Sequence, residues 1–208
     1  MDKLKSIFSK YYKIDESVTD EQLVKMFIYL NDIINSKIEG DIIEMGCKLG
    51  TTSIFIQSLL IEWDSQRKFH VYDSFQGLPK KHLKDKTNLK LQYNEGDVGV
   101  SISSFKNSFE INNIPLPVIH EGWFIDIPNN EYPEKIAFAF FDGDFYTSTL
   151  DSWIKTYYKL SKGAIVFIHD YDIPELPGPK KATDEFLTGK PEHGTIISEN
   201  YLGLFIKQ

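Results

Sequence analysis

Apolar positions change their spacing along this chain. Leu23, Met26, Phe27, Leu30, Ile33 and Ile34 recur every three to four residues, and this spacing predicts helical structure over 3–36. Thr19 or Asp20 is placed to cap it, with Glu21 and Gln22 in the first turn. From Asp41 onward, short apolar runs alternate with amphipathic stretches. Strands are expected at 41–45, 68–72, 117–120, 136–141 and 164–168. Helices are expected at 51–63, 101–112, 148–160 and 180–187, with Lys162-Gly163 closing the third. The run at 136–141 is apolar throughout, as in a strand covered on both faces. Residues 195–198 and 202–206 read as a hairpin around Asn200.

Strands alternating with helices imply a doubly wound, mostly parallel α/β sheet with helices on both faces. The closing hairpin adds an antiparallel edge, for seven strands in all. The expected organisation is an N-terminal helical segment at 1–38, a cap or dimer contact, followed by one domain at 39–208. The aromatic stretch Phe8, Tyr11 and Tyr12 is expected either to meet a partner subunit or to close a pocket.

Length and composition narrow the class. A chain of 208 residues can build one full core. Its net charge of −7 argues against nucleic acid, since the only short basic clusters are Lys80-Lys81 and Lys180-Lys181. The single cysteine, Cys47, forbids an intrachain disulfide and suits a reducing, cytoplasmic setting. No window approaches the roughly 18 apolar residues of a membrane span.

Four motifs sit at expected strand ends, where open α/β sheets bind ligands. In Glu44-Met45-Gly46-Cys47-Lys48-Leu49-Gly50-Thr51-Thr52, Gly46 allows close approach of backbone to a ligand and Gly50 a tight turn into a helix. The pattern is E-x-G-x-x-x-G, not the G-x-G-x-x-G of dinucleotide sites. Asp73 ends the next strand, where a carboxylate can accept the hydroxyl hydrogens of a ribose or merely form a turn. Asp142-Gly143-Asp144 leaves the most apolar strand, and its carboxylates can hold a hard cation or take a proton. His169-Asp170 leaves the neighbouring strand, so His169, Asp170 and Asp142 can meet around a divalent metal. His70, His82, His120 and His193 carry no such signal.

Several strings resemble the macrocin O-methyltransferase (TylF) family of class I methyltransferases. They are 40–46, Asp73-Ser74-Phe75-Gln76-Gly77-Leu78-Pro79, Glu121-Gly122-Trp123-Phe124-Ile125-Asp126, 142–149, His169-Asp170-Tyr171 and 180–186. The resemblance implies S-adenosylmethionine (SAM) as cofactor, a divalent metal, and a small-molecule hydroxyl acceptor weighted toward a sugar. Glu44, Met45, Gly46, Thr51 and Thr52 would then hold the methionine part, Asp73 and Ser74 the ribose, and Gly122 and Trp123 the adenine. Asp142, counted also with the cofactor site, would bind metal with His169 and Asp170. Asp144, or else His169, would be the base. The family usually carries Asp-Asp-Tyr where this chain has His169-Asp170-Tyr171, and histidine favours manganese, iron, zinc or nickel over magnesium. Two other readings stand beside this one: a nucleotide-dependent oxidoreductase or sugar-modifying enzyme, and a degenerate SAM-binding scaffold.

Overall fold

The short apolar runs become neighbouring strands. A computed structural model describes residues 2–63, 65–89 and 93–208. The strands are β1 (Asp41–Met45), β2 (Phe69–Asp73), β3 (Val118–Glu121), β4 (Ile136–Phe141), β5 (Leu160–Ile168), β6 (Ile197–Glu199) and β7 (Leu202–Ile206). They form one sheet in the order β3-β2-β1-β4-β5-β7-β6. The first five are parallel, and β7 runs antiparallel to both β5 and β6. The expected fold class is the observed one.

Six helices cover the sheet: α1 (Asp2–Lys10), α2 (Asp20–Asn35), α3 (Thr51–Glu62), α4 (Ile102–Ile111), α5 (Tyr146–Thr156) and α6 (Gly178–Leu187). Side chains of β4 alternate between the two faces, as the strand period of two requires. Phe138 and Phe140 join Ile7, Phe27, Phe55 and Phe105 on one side. Ala139 and Phe141 join Trp153, Leu187 and Phe205 on the other. Helices α1 and α2 therefore share the core beneath the sheet. At the far edge, His70 Nδ1 lies 3.0 Å from His120 Nε2, and Tyr72 stacks between His120 and Tyr132, so side chains as well as backbone fasten β3.

Three local expectations change. The helix predicted over 3–36 is two helices separated at 11–19. Thr19 starts the second one: its hydroxyl accepts from Gln22 N, while the Gln22 side chain accepts from Thr19 N. This reciprocal cap makes a helix start there self-sufficient. The aromatic stretch is not uniformly exposed. Phe8 packs on Phe27 and Phe55, Tyr11 is buried, and only Tyr12 faces solvent. Finally, α5 ends at Thr156, and a 3-10 turn at Tyr157–Lys159 leads straight into β5. Lys162 and Gly163 thus lie inside β5 and do not close a helix. Gly163 N donates to Lys207 O and Lys207 N to Ala164 O, so pairing with the C-terminal segment decides the conformation.

No helix among the described residues is long and apolar enough to cross a membrane. The chain terminus is tied down by buried Glu192, which accepts from Lys207 Nζ at 2.6 Å, Tyr157 Oη at 2.8 Å and Gln208 N at 3.1 Å. Burial opposes its charge, but these donors outweigh burial and hold the carboxyl down to about 2.

Two outcomes follow for stability. Trp153 is fully buried and donates to Thr183 Oγ1. Trp153→Ala should cost about 3–5 kcal/mol in urea denaturation, the usual range for emptying such a site. Glu192 has a folded pKa below the ordinary glutamate value of 4.5, so its contribution is present above that pH and disappears as pH falls toward 2. Glu192→Gln should therefore flatten the pH dependence of stability between those limits and leave it otherwise parallel.

Candidate functional site

Hydrogen bonding across the sheet continues one residue past several strand ends. Gly46 N donates to Tyr72 O, Asp142 N to Met45 O, His169 N to Phe141 O and Gly122 N to Asp73 O, all at 2.8–2.9 Å. Register therefore sets the glycine turn, the Asp-Gly-Asp turn and the His-Asp turn side by side. The topology reverses between β1 and β4, which is where such sheets open a crevice. A cavity of about 410 Å³ lies there, within the range of small-molecule sites.

Gly46 makes the crevice possible. Its φ is +92°, and a Cβ on it would fall 2.1 Å from Asp142 O. Only glycine lets β1 and β4 approach this closely at their ends. Asp73 braces the same turn: Oδ2 accepts from Cys47 N at 2.8 Å and Lys48 N at 3.1 Å, and Oδ1 from Phe75 N at 2.8 Å. The Cys47 thiol is buried, and burial with the nearby acids pushes its pKa well up, so it is no nucleophile.

Asp142, His169 and Asp170 converge. Their ligand atoms lie within 4.8 Å of one another. His169 Nδ1 is 3.0 Å from Asp142 Oδ1 and 3.3 Å from Asp170 Oδ1, yet it is buried without a properly directed hydrogen bond. Burial disfavours an imidazolium, but the two carboxylates outweigh it and raise the His169 pKa well above the usual value. Asp144 stands beside them. Burial and then the charges of Asp142 and Asp170 push its carboxyl well above the normal range. Asp144 and Asp170 both hold left-handed backbone, with φ of +55° and +54°. Non-glycine residues in that conformation cost free energy and concentrate at functional sites.

Of the residues singled out in the sequence, Gly46, Asp73, Ser74, Trp123, Asp142, Asp144, His169 and Asp170 line the cavity. Glu44, Met45, Thr51, Thr52 and Gly122 are not among its lining residues. Glu44 is buried, bonded by the Ser53 hydroxyl, and burial raises its pKa well above normal. The Thr51 hydroxyl is engaged with Asp15.

Other contributors were given no role in the sequence, although Gly77, Leu78 and Pro79 belong to the string that begins at Asp73. Gly77, Leu78, Pro79, Tyr93 and Val98 roof the cavity from the β2–α4 connection. Asp85 ties that roof down, accepting from Tyr146 N at 2.7 Å and His82 N at 2.9 Å. Helix α5 has no capping side chain of its own, so Asp85 supplies one. Asp151, from α5, also lines the cavity; burial, with Asp126 adding to it, pushes its carboxyl up to about 6. Its place on the same helix face as Thr147 and Ser148 was the signal available in the sequence.

Comparison with known proteins places this geometry. The chain is 33% identical over 145 residues to mycinamicin III 3''-O-methyltransferase of Micromonospora griseorubida, covering 66% of this chain and 57% of the relative. It is 30% identical over 148 residues to 8-demethyl-8-(2,3-dimethoxy-alpha-L-rhamnosyl)-tetracenomycin-C 4'-O-methyltransferase of Streptomyces olivaceus, covering 68% and 56%. The matches thus span little more than half the length of these curated relatives. Among solved structures, the O-methyltransferase NovP shares the fold, with a TM-score of 0.76, 24% identity, and coverage of 90% of this chain and 80% of that one. Residues 16–206 match the macrocin O-methyltransferase family, TylF, and the chain belongs to that family.

Proposed function

We propose that this protein transfers the methyl group of SAM to a hydroxyl of a small glycosylated acceptor, assisted by a divalent cation. The observation that carries the reading is the convergence of Asp142, Asp144, His169 and Asp170 in one cavity beside the Gly46 turn. Family membership supports the chemistry, and the rhamnosyl group in the name of the tetracenomycin relative supports the acceptor class.

The residues fit a cation. His169 Nδ1 is a buried nitrogen lacking a hydrogen-bond partner, and two carboxylate oxygens face it. One nitrogen with two carboxylates suits manganese, iron, nickel or zinc better than magnesium. When bound, such an ion lowers the pKa of a coordinated hydroxyl and orients it.

The protein's own groups do the rest. The Gly46 turn gives the methionine end access to backbone, with Glu44, Met45, Thr51 and Thr52 supporting it from behind. Asp73 and Ser74 meet the ribose, and Trp123, next to Gly122, meets the adenine. Apolar Leu78, Trp123 and Phe124 restrict water in the cavity. Transfer is one in-line displacement: the acceptor oxygen bonds the methyl carbon, and the carbon–sulfur bond breaks with its electron pair left on sulfur. Asp144, a carboxylate lining the cavity with Asp142 and Asp170, receives the hydroxyl proton. Alignment of oxygen, carbon and sulfur supplies much of the barrier reduction.

Asp144→Asn should keep S-adenosylhomocysteine binding by calorimetry and lose about a hundredfold or more in turnover; full turnover would remove Asp144 from the mechanism. Chelation with EDTA should abolish turnover, and manganese should restore it better than magnesium. His169→Ala should lose manganese binding in titration calorimetry, independently of any assay of activity. Undiminished turnover after chelation would sink the cation.

A further inference from the structure

The cavity wall carries charge of one sign almost throughout. Asp73, Asp126, Asp142, Asp144, Asp151 and Asp170 all line it. Among its described lining residues, Lys48 is the one lysine or arginine. Lys48 belongs to the turn between β1 and α3, with φ of +45°, and its side chain is 37% exposed.

The Lys48 ammonium is held from an unexpected quarter. It lies 3.1 Å from Oδ2 of Asp15, in the connection between α1 and α2. Asp15 is itself fixed. Its Oδ1 accepts from Ser17 N, Ser17 Oγ and Thr51 Oγ1 at 3.2, 2.5 and 3.0 Å, and its N donates to Thr51 Oγ1 at 3.1 Å. Oδ2 is buried and completes no hydrogen bond, with the Lys48 ammonium as its near neighbour. Ser17, from the same connection, lines the cavity.

The amino-acid end of SAM brings a carboxylate to this turn, and a carboxylate entering a wall of aspartates needs a cationic donor. Four of the turn's N–H groups are already committed. Cys47 N and Lys48 N are given to Asp73, Gly46 N to Tyr72 O and Gly50 N to Cys47 O. The Thr51 hydroxyl is given to Asp15. Lys48 carries three N–H donors and no hydrogen bond to Asp15 in the present geometry. His169 is engaged between Asp142 and Asp170.

We propose that Lys48, positioned by Asp15, anchors the carboxylate of the cofactor's methionine end, which makes the connection at 11–19 part of the cofactor site. Thr51 then acts through Asp15 and not on the ligand. This inference rests on the methyltransferase reading above.

The test uses the full chain, titration calorimetry and two ligands. S-Adenosylhomocysteine carries the amino-acid end; 5′-methylthioadenosine has the same nucleoside and a thioether sulfur but lacks that end. Lys48→Met should weaken S-adenosylhomocysteine roughly tenfold or more, the scale of one charge-assisted hydrogen bond, and leave methylthioadenosine within about twofold. Lys48→Arg should recover most of the loss. Asp15→Asn should shift the homocysteine ligand in the same direction by less. Equal weakening of both ligands by Lys48→Met marks a structural role and overturns the proposal, as does no weakening of either. If Asp15→Asn fails to fold, the Lys48 pair still decides. A wild-type chain that binds neither ligand fails at the earlier reading, a result distinct from wild-type binding that Lys48→Met leaves untouched.

Discussion

One row of backbone hydrogen bonds at the carboxyl edge of the parallel strands governs this molecule. Gly46, Asp142, His169 and Gly122 each donate to the strand beside them, one residue beyond its last partner or at it. That row fixes which residue of each turn leaves the sheet first. Side chains alternate faces along a strand, so a slip of one residue would send each of these groups the other way. The register is held by burial. Every residue of β4 is buried, and its alternate side chains fill separate cores above and below the sheet. A misregistered β4 would have to expose phenylalanines on both faces. The precision of the site is thus drawn from the most apolar segment of the chain.

The same edge concentrates cost. Six aspartates line one cavity, and two of them hold left-handed backbone. Carboxylates so close raise one another's proton affinity, as Asp144 shows. The arrangement is favourable only with positive charge among them. His169 offers one such charge between Asp142 and Asp170, and a divalent ion would offer more at the same place. Lys48, in the glycine turn, offers another.

Period and punctuation made the sheet legible in the sequence. Runs such as 41–45 and 136–141 are mostly apolar and short, and their ends carry glycine or aspartate, so the first four strands were placed to within a residue. The meeting of Asp142, His169 and Asp170 followed from strand ends sharing one edge. Other features depend on distant partners and left no local trace. The early start of β5 is set by distant pairing, Leu160 with Ile136 of β4 and Gly163 and Ala164 with Lys207, while 157–163 alone reads equally as a helix end. Asp15, Lys48 and Asp85 sit in connections without periodicity. Their importance lies in contacts that span, for Asp15 and Thr51, 36 positions, and for Asp85 and Tyr146, 61.

Those connections share a design. Helices α3 and α5 both begin immediately after a functional turn, and neither has a capping side chain of its own. Each is met by an aspartate from elsewhere: Asp15 bonds the Thr51 side chain at the start of α3, and Asp85 accepts from Tyr146 N at the start of α5. A carboxylate is favoured at a helix N-terminus because unpaired N–H groups and the helix dipole point there. One aspartate thereby performs two tasks. Asp85 satisfies the start of α5 and fastens the β2–α4 connection, whose Gly77, Leu78 and Pro79 line the cavity; Asp15 fastens the α1–α2 connection, whose Ser17 does. Each covering segment rests on few such anchors, whereas the turns beneath rest on the sheet. Both anchors lie outside the strand-end row, so neither enters the register of Gly46, Asp142 and His169.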